Sequence, residues 1–182
     1  MPFTHTIACQ DRDFPEWHGG RSHALVWALE LDGPDVREAV AEARARLDGL
    51  VLPRYERQPH VTVAFAGLAA QEGLTGYDDE QLQADLTRLR PLVDGAVELR
   101  ATGWGTFPMV PYLAVESPWL AEAHRVLDDG VGAAHGMPYL PHLTLGHWRG
   151  QWRRHEVLER LDAPLPTGRW IVGELSLLRY ET

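Results

Sequence analysis

Cysteine is almost missing from this 182-residue chain. Cys9 stands alone, so no internal disulfide can form, and a reducing compartment, the cytoplasm, is the expected setting. Positive charge is also scarce. Seventeen Lys and Arg against 26 Asp and Glu leave a formal net charge of −9 at pH 7. A protein that tracks a nucleic-acid backbone displaces counterions with Lys and Arg. The acidic balance therefore excludes an extended nucleic-acid surface and leaves room only for a single polynucleotide end in a local site. No uninterrupted apolar run approaches the ~18 residues of a bilayer span, so no membrane partner is expected. The opening stretch, MPFTHTIACQDRDFPEW, lacks the apolar core of a signal peptide. Several chemistry-bearing signatures are missing too: there is no GxGxxG, no GxxxxGK[ST] and no GxSxG stretch. His142 and His147 do not have HExxH spacing, and on a strand their odd separation sends them to opposite faces. Cys9 has no CxxC partner, so neither a metal nor a cofactor is expected.

What is present suits one core. The hydrophobic fraction is 45%, ordinary for a chain that folds as one domain or two small lobes. Residues 1–20 read as an irregular extension hinged at Gly19-Gly20, free to pack across the back, cover a groove or stay mobile; residues 21–182 read as the domain. HALVWALEL, His23 to Leu31, reads as a buried strand. DVREAVAEARARLDGL follows with helical spacing, Val36, Val40, Ala43 and Leu47 falling on one face and Gly49 as its stop. HVTVAFAG alternates as a strand, with His60, Thr62 and Ala64 on one side and Val61, Val63 and Phe65 on the core side. A helix is predicted from Asp78 to Leu89, then paired strands in AVELRATGWGTF and PYLAVES with a turn at PMVP. Pro118 to Gly136 reads as another helix, HLTLGHW as a strand, GQWRRHEVLERLDAP as a helix and GRWIVGELSLLRYE as one final strand. Helices alternating with short strands make an α+β protein of two similar halves.

Two segments nearly repeat: PHVTVAF and PHLTLGH. Residues two apart on a strand share a face, so His60 with Thr62, and His142 with Thr144, can each look into one cleft. Imidazole has an ordinary pKa near ~6.5 and serves as base or acid near neutral pH. Attack at phosphorus needs both roles: a neutral histidine to take a proton from the attacking oxygen and a protonated one to give a proton to the leaving oxygen. Threonine hydroxyls donate to the nonbridging oxygens, and an imidazolium opposes the charge of the transition state. Proton transfer and charge stabilisation are then both supplied by side chains.

Those residues resemble the 2H phosphoesterase family, especially its branch of RNA 2′,3′-cyclic phosphodiesterases and 2′-5′ RNA ligases. That family is named for two His-x-Thr/Ser-x motifs, which stand here as HVTV at 60–63 and HLTL at 142–145. The flanks match as well, with Phe65 and Gly67 after the first motif and Tyr139 and Pro141 before the second. The resemblance implies a bilobal fold, two antiparallel sheets with outer helices around a central groove, each lobe giving one motif. It implies opening of a cyclic phosphate to a 2′-phosphate without a metal. His60 would be the acid protonating the 3′ oxygen, His142 the base activating water, and Thr62 and Thr144 the phosphate contacts. Ligation to a 2′-5′ bond would be the reverse reaction. The implied partner is an RNA end or a small cyclic nucleotide. RNA-processing members carry an arginine shortly after the second motif; here His147 stands near that place, followed by Trp148 and Arg149. These three, with Tyr139, are the further substrate-contact candidates. Trp104, Phe107 and Trp152 are weaker candidates for lining a base cleft, with packing the simpler role for each. Two other readings remain open: a phosphodiesterase for a non-RNA cyclic phosphate metabolite, and a noncatalytic nucleotide- or phosphate-binding module.

Overall fold

Short apolar runs bounded by Gly, Pro and Asp become strands, and the longer runs with helical spacing become helices that cover them. The computed structural model describes residues 3–10, 15–53, 58–93, 95–128, 138–167 and 169–182. Its elements are α1 (Pro15–His18), β1 (His23–Glu30), α2 (Pro34–Arg46), β2 (His60–Leu68), α3 (Asp79–Leu89), β3 (Val97–Thr106), β4 (Pro111–Glu116), α4 (Pro118–Leu127), β5 (His142–Thr144), α5 (Arg154–Leu161), β6 (Trp170–Val172) and β7 (Leu175–Glu181).

Local chemistry accounts for the helix ends. Pro34 and Pro118 sit in first turns, where a missing N–H costs nothing. Asp78 caps α3: its carboxylate accepts from the Glu80 and Gln81 amides, each at 3.0 Å, while the Gln81 side chain accepts from the Asp78 amide at 3.0 Å. Such a reciprocal cap is worth about 1 kcal/mol. The helix predicted to run to Gly136 stops at Leu127, because Asp128 turns extended; residues 129–137 lie outside the described residues.

Among the described residues, seven antiparallel strands form one sheet in the order β6-β3-β4-β5-β2-β1-β7. Two separate sheets were expected. What joins the halves is β5, which pairs with β4 over three residues and with β2 at Val61↔Leu143. The predicted last strand breaks at Gly173-Glu174 into β6 and β7, which lie at opposite edges of the sheet. From Val172 to Leu175 the chain reaches no more than ~11 Å, so the sheet must curl to bring its edges near. The curled sheet and its outer helices surround a groove. β5 is also shorter than the predicted HLTLGHW, since the chain beyond it leaves to pair with residues 50–52 through Leu52 N–H to the His147 carbonyl (2.8 Å) and Arg149 N–H to the Leu50 carbonyl (2.9 Å).

One continuous core lies behind the groove. Leu29, Val61, Val63, Leu99, Leu113 and Leu143 from the strands are fully buried against Ala43 and Leu47 of the α2 segment, Leu120 and Ala123 of α4, and Leu161 of α5. Each such Leu or Val contributes about 1.5–3 kcal/mol.

The N-terminal segment is part of the packed structure. Residues 4–9 run against 148–154, with Thr6 N–H bonded to the Trp152 carbonyl (2.8 Å), Ile7 N–H to the Pro108 carbonyl (2.7 Å), Cys9 N–H to the Trp148 carbonyl (2.8 Å) and Arg154 N–H to the Thr4 carbonyl (2.8 Å). Thr6 is completely buried; its hydroxyl donates to the Gly150 carbonyl (3.0 Å) and accepts from the Trp152 amide (2.8 Å). Thr6→Val keeps the shape but strands both partners. It is expected to lower unfolding free energy by about 1–3 kcal/mol in urea denaturation, and an unchanged midpoint would mean the segment is only loosely attached.

Candidate active site

The two histidines are held in the same way. Pro59 and Pro141 precede them, which keeps Gln58 and Leu140 extended. The His60 Nδ1 then donates to the Gln58 carbonyl at 2.9 Å, and the His142 Nδ1 to the Leu140 carbonyl at 2.8 Å. A carbonyl only accepts, so Nδ1 carries hydrogen in both rings and Nε2 is the atom left to exchange a proton. The proline carbonyls anchor each motif to its neighbour strand, Pro59 accepting from Leu31 N–H (2.8 Å) and Pro141 from Val115 N–H (3.0 Å).

Register brings the motifs together. Val61 lies opposite Leu143, and both are fully buried. Carried one step either way, the antiparallel register sets His60 across from Thr144 and Thr62 across from His142. All four side chains occupy the opposite face from Val61 and Leu143. The rings also feel each other. The His142 pKa is pushed below the ordinary imidazole value, chiefly by burial and further by the charge of His60, with the Leu140 carbonyl opposing. His142 is thereby disposed to be neutral.

Aromatic residues wall both imidazoles. Tyr180, opposite Ala24 on β1, lies with its ring centre 5.8 Å from that of His60 and its hydroxyl 3.4 Å from Nε2. The Phe107 ring meets His142 edge-on at 4.9 Å, and Tyr112, opposite Thr144, lies 5.4 Å from the same imidazole. Tyr112 needs the bare backbone of Gly105, where a Cβ would come within 2.5 Å of its ring.

Phe65 is not in the core as its alternation predicts. Ala28 pairs with Thr62 but Trp27 pairs with Ala64, so Val63 is an extra residue. This β-bulge turns the next two residues over before a second register shift at Ala66: Ala64 joins the core with Trp27, and Phe65, opposite Val26, reaches the same face as His60 and Thr62. There it meets Trp17 of α1, which is 54% exposed, with ring centres 6.4 Å apart.

The other substrate-contact candidates differ in burial and partners. Trp148 must be corrected: it is fully buried, with Nε1 donating to the Thr106 hydroxyl at 3.0 Å, and belongs to the core. Tyr139 is partly buried; its hydroxyl donates to the Thr62 carbonyl at 2.9 Å, and one ring face is stacked on His124. His147 is half-buried in the segment that bonds to Leu52, and Arg149 is exposed. Trp104 and Trp152 pack on the core and donate to the Ala163 (2.9 Å) and Leu50 (3.3 Å) carbonyls. Sequence reasoning missed Tyr180, Tyr112 and Trp17, whose places depend on which strands become neighbours. Among the described residues, no group of three or more His, Cys, Asp or Glu side chains converges as metal ligands, and no helix is long and apolar enough to cross a membrane.

Solved structures share this fold. E. coli LigT complexed with 3′-AMP superposes with a TM-score of 0.55 at 17% identity, covering 89% of this chain and 98% of that one. TT0787 of Thermus thermophilus gives a TM-score of 0.51 at 19% identity, over 87% of this chain and 83% of that one. E. coli LigT complexed with NADP+ gives 0.50 at 19% identity, over 88% and 98%. No curated protein matches the chain in sequence. The model of the 2′-5′ RNA ligase superfamily matches residues 32–182. With that match spanning both histidine-threonine motifs, the chain belongs to the 2′-5′ RNA ligase superfamily of 2H phosphoesterases.

Proposed function

We propose that this protein opens 2′,3′-cyclic phosphates, on RNA ends or small nucleotides, to 2′-phosphates by paired-histidine acid–base catalysis. The observation that carries this reading is the shared face of His60, Thr62, His142 and Thr144, with both imidazoles tied at Nδ1. Neutral His142 takes a proton from water at Nε2 as the water oxygen attacks phosphorus. The bond from phosphorus to the 3′ oxygen breaks, and Nε2–H of His60 protonates that oxygen. Thr62 and Thr144 donate to the nonbridging oxygens, where charge builds. In ligation a 5′-hydroxyl takes water's place: His142 takes its proton as it attacks phosphorus, and His60 again protonates the leaving 3′ oxygen. Water's abundance favours hydrolysis.

Trp17 and Phe65 offer an exposed aromatic surface on the His60 side, and a nucleobase stacks on such a face without sequence readout. LigT of E. coli has been solved with 3′-AMP and with NADP+, which supports a small-nucleotide ligand for this groove. The test is incubation with 2′,3′-cyclic nucleotides and a cyclic-ended oligoribonucleotide in excess chelator, with the product isomer identified. Appearance of the 2′-phosphate is expected; no ring opening across the panel would overturn the reading. The net charge of −9 favours one variant reading, a small cyclic phosphate other than RNA as the main substrate. A strong preference for the oligonucleotide would remove it.

A pH profile follows from His142. Its neutral form is the active one and its pKa lies below the ordinary value. The acid limb of kcat/KM is therefore expected below ~6.5, with activity retained at neutral pH and lost as pH falls through the depressed pKa. An acid limb above that value would contradict His142 as the base.

A further inference from the structure

Beyond Val61, β2 loses β5 on one edge, and on the other its pairing with β1 is interrupted at Val63. Toward β1, Val63 has no partner because of the bulge. Toward β5, the pairing is confined to Val61↔Leu143, and β5 itself ends at Thr144. Backbone carbonyls at Thr62 and Val63 therefore need donors from outside the ladder. Two side chains supply them. The Tyr139 hydroxyl donates to the Thr62 carbonyl at 2.9 Å, and His124 Nδ1 donates to the Val63 carbonyl at 2.7 Å. The two rings lie face to face, with centres 3.8 Å apart and planes 11° from parallel. His124 is steadied from α4, its Nε2 3.8 Å from the Asp128 carboxylate. Burial pushes the Tyr139 phenol pKa up, so it stays a donor.

We propose that His124 and Tyr139 are positioning residues: a stacked two-ring clamp that stands in for the missing strand and fixes Thr62 against the substrate phosphate. The same clamp holds the bulge at Val63, and that bulge is what turns Phe65 toward the groove. Phosphate contact and aromatic surface thus depend on one pair of rings bonded to the β2 backbone. This inference rests on the phosphate-binding role assigned above to Thr62.

Tyr139→Phe removes one oxygen and keeps the stack. In a cycle with Thr62→Ala, measured on a 2′,3′-cyclic nucleotide, Tyr139→Phe alone is expected to lower kcat/KM about tenfold, the equivalent of one lost hydrogen bond. In the Thr62→Ala background the further loss should be under about twofold, because the clamp acts through Thr62. Equal losses in both backgrounds, or no loss in either, would overturn the proposal. At Val63, His124→Asn retains an amide donor and should keep most activity, whereas His124→Phe, which keeps a ring and loses the donor, should not; equal behaviour of the two would count against the clamp. Should the wild-type protein open no cyclic phosphate, the functional reading fails while the clamp is still judged, by inorganic phosphate titrated against the Thr62 amide resonance. Weaker binding in Tyr139→Phe upholds it, and unchanged binding sinks it.

Discussion

His142→Ala and His60→Ala are each expected to slow opening of a 2′,3′-cyclic phosphate by about 10²–10⁴-fold, the usual contribution of one positioned acid or base. Neither ring has an evident substitute. Tyr180, whose hydroxyl lies 3.4 Å from His60 Nε2, carries a phenol, a weaker acid than an imidazolium. The double variant should be little slower than the worse single one, since both protons move in one displacement and losing either transfer disables it. Loss of His142 should also erase the acid limb of the pH profile, while loss of His60 should leave that limb in place. A double variant that turns over at the wild-type rate would place the chemistry somewhere else. Single-turnover rates at several pH values, with circular dichroism to confirm folding, measure all of this.

The second large effect concerns stability. Trp148→Ala is expected to lower unfolding free energy by about 3–5 kcal/mol, the cost of removing a large aromatic from a closed core. Its indole is fully buried and donates to the Thr106 hydroxyl. The neighbouring backbone ties together three stretches of chain: Trp148 N–H bonds to the Met109 carbonyl (3.0 Å), its own carbonyl accepts from Cys9 N–H (2.8 Å), and Val51 bridges to it. Trp148→Phe should lose less, because most of the ring volume stays. Urea denaturation checks the order, and nucleotide binding by the still-folded variant checks the role. If Trp148→Ala kept its unfolding midpoint but lost nucleotide binding, the residue would be a substrate contact after all.

The four motif side chains were legible because their signal is short-range. Alternation puts His and Thr on one face within each strand, and the preceding proline sets up the same histidine bond in both. Helices α2 and α3 were legible through runs of strong helix formers between residues that break them, with one apolar face in α2. What escaped depends on pairing between distant strands. Nothing within HVTVAFAG announces that β1 skips Val63, so alternation alone gives Phe65 the wrong face. Nothing within GRWIVGELSLLRYE shows that two residues carry the chain from one sheet edge to the other, so Tyr180 beside His60 leaves no local trace. Trp148 reads as a groove residue only if the chain continues as a strand past Thr144, and it does not.

The bond between the halves of the sheet is narrow: β2 and β5 meet at Val61↔Leu143 alone. Elsewhere, strands grip one another over several residues. The hydrogen-bonded seam between the halves is therefore one residue pair wide among the described residues, and both imidazoles flank it. On the proposed mechanism, any change in the angle between the halves at this seam would alter the gap across which protons are passed.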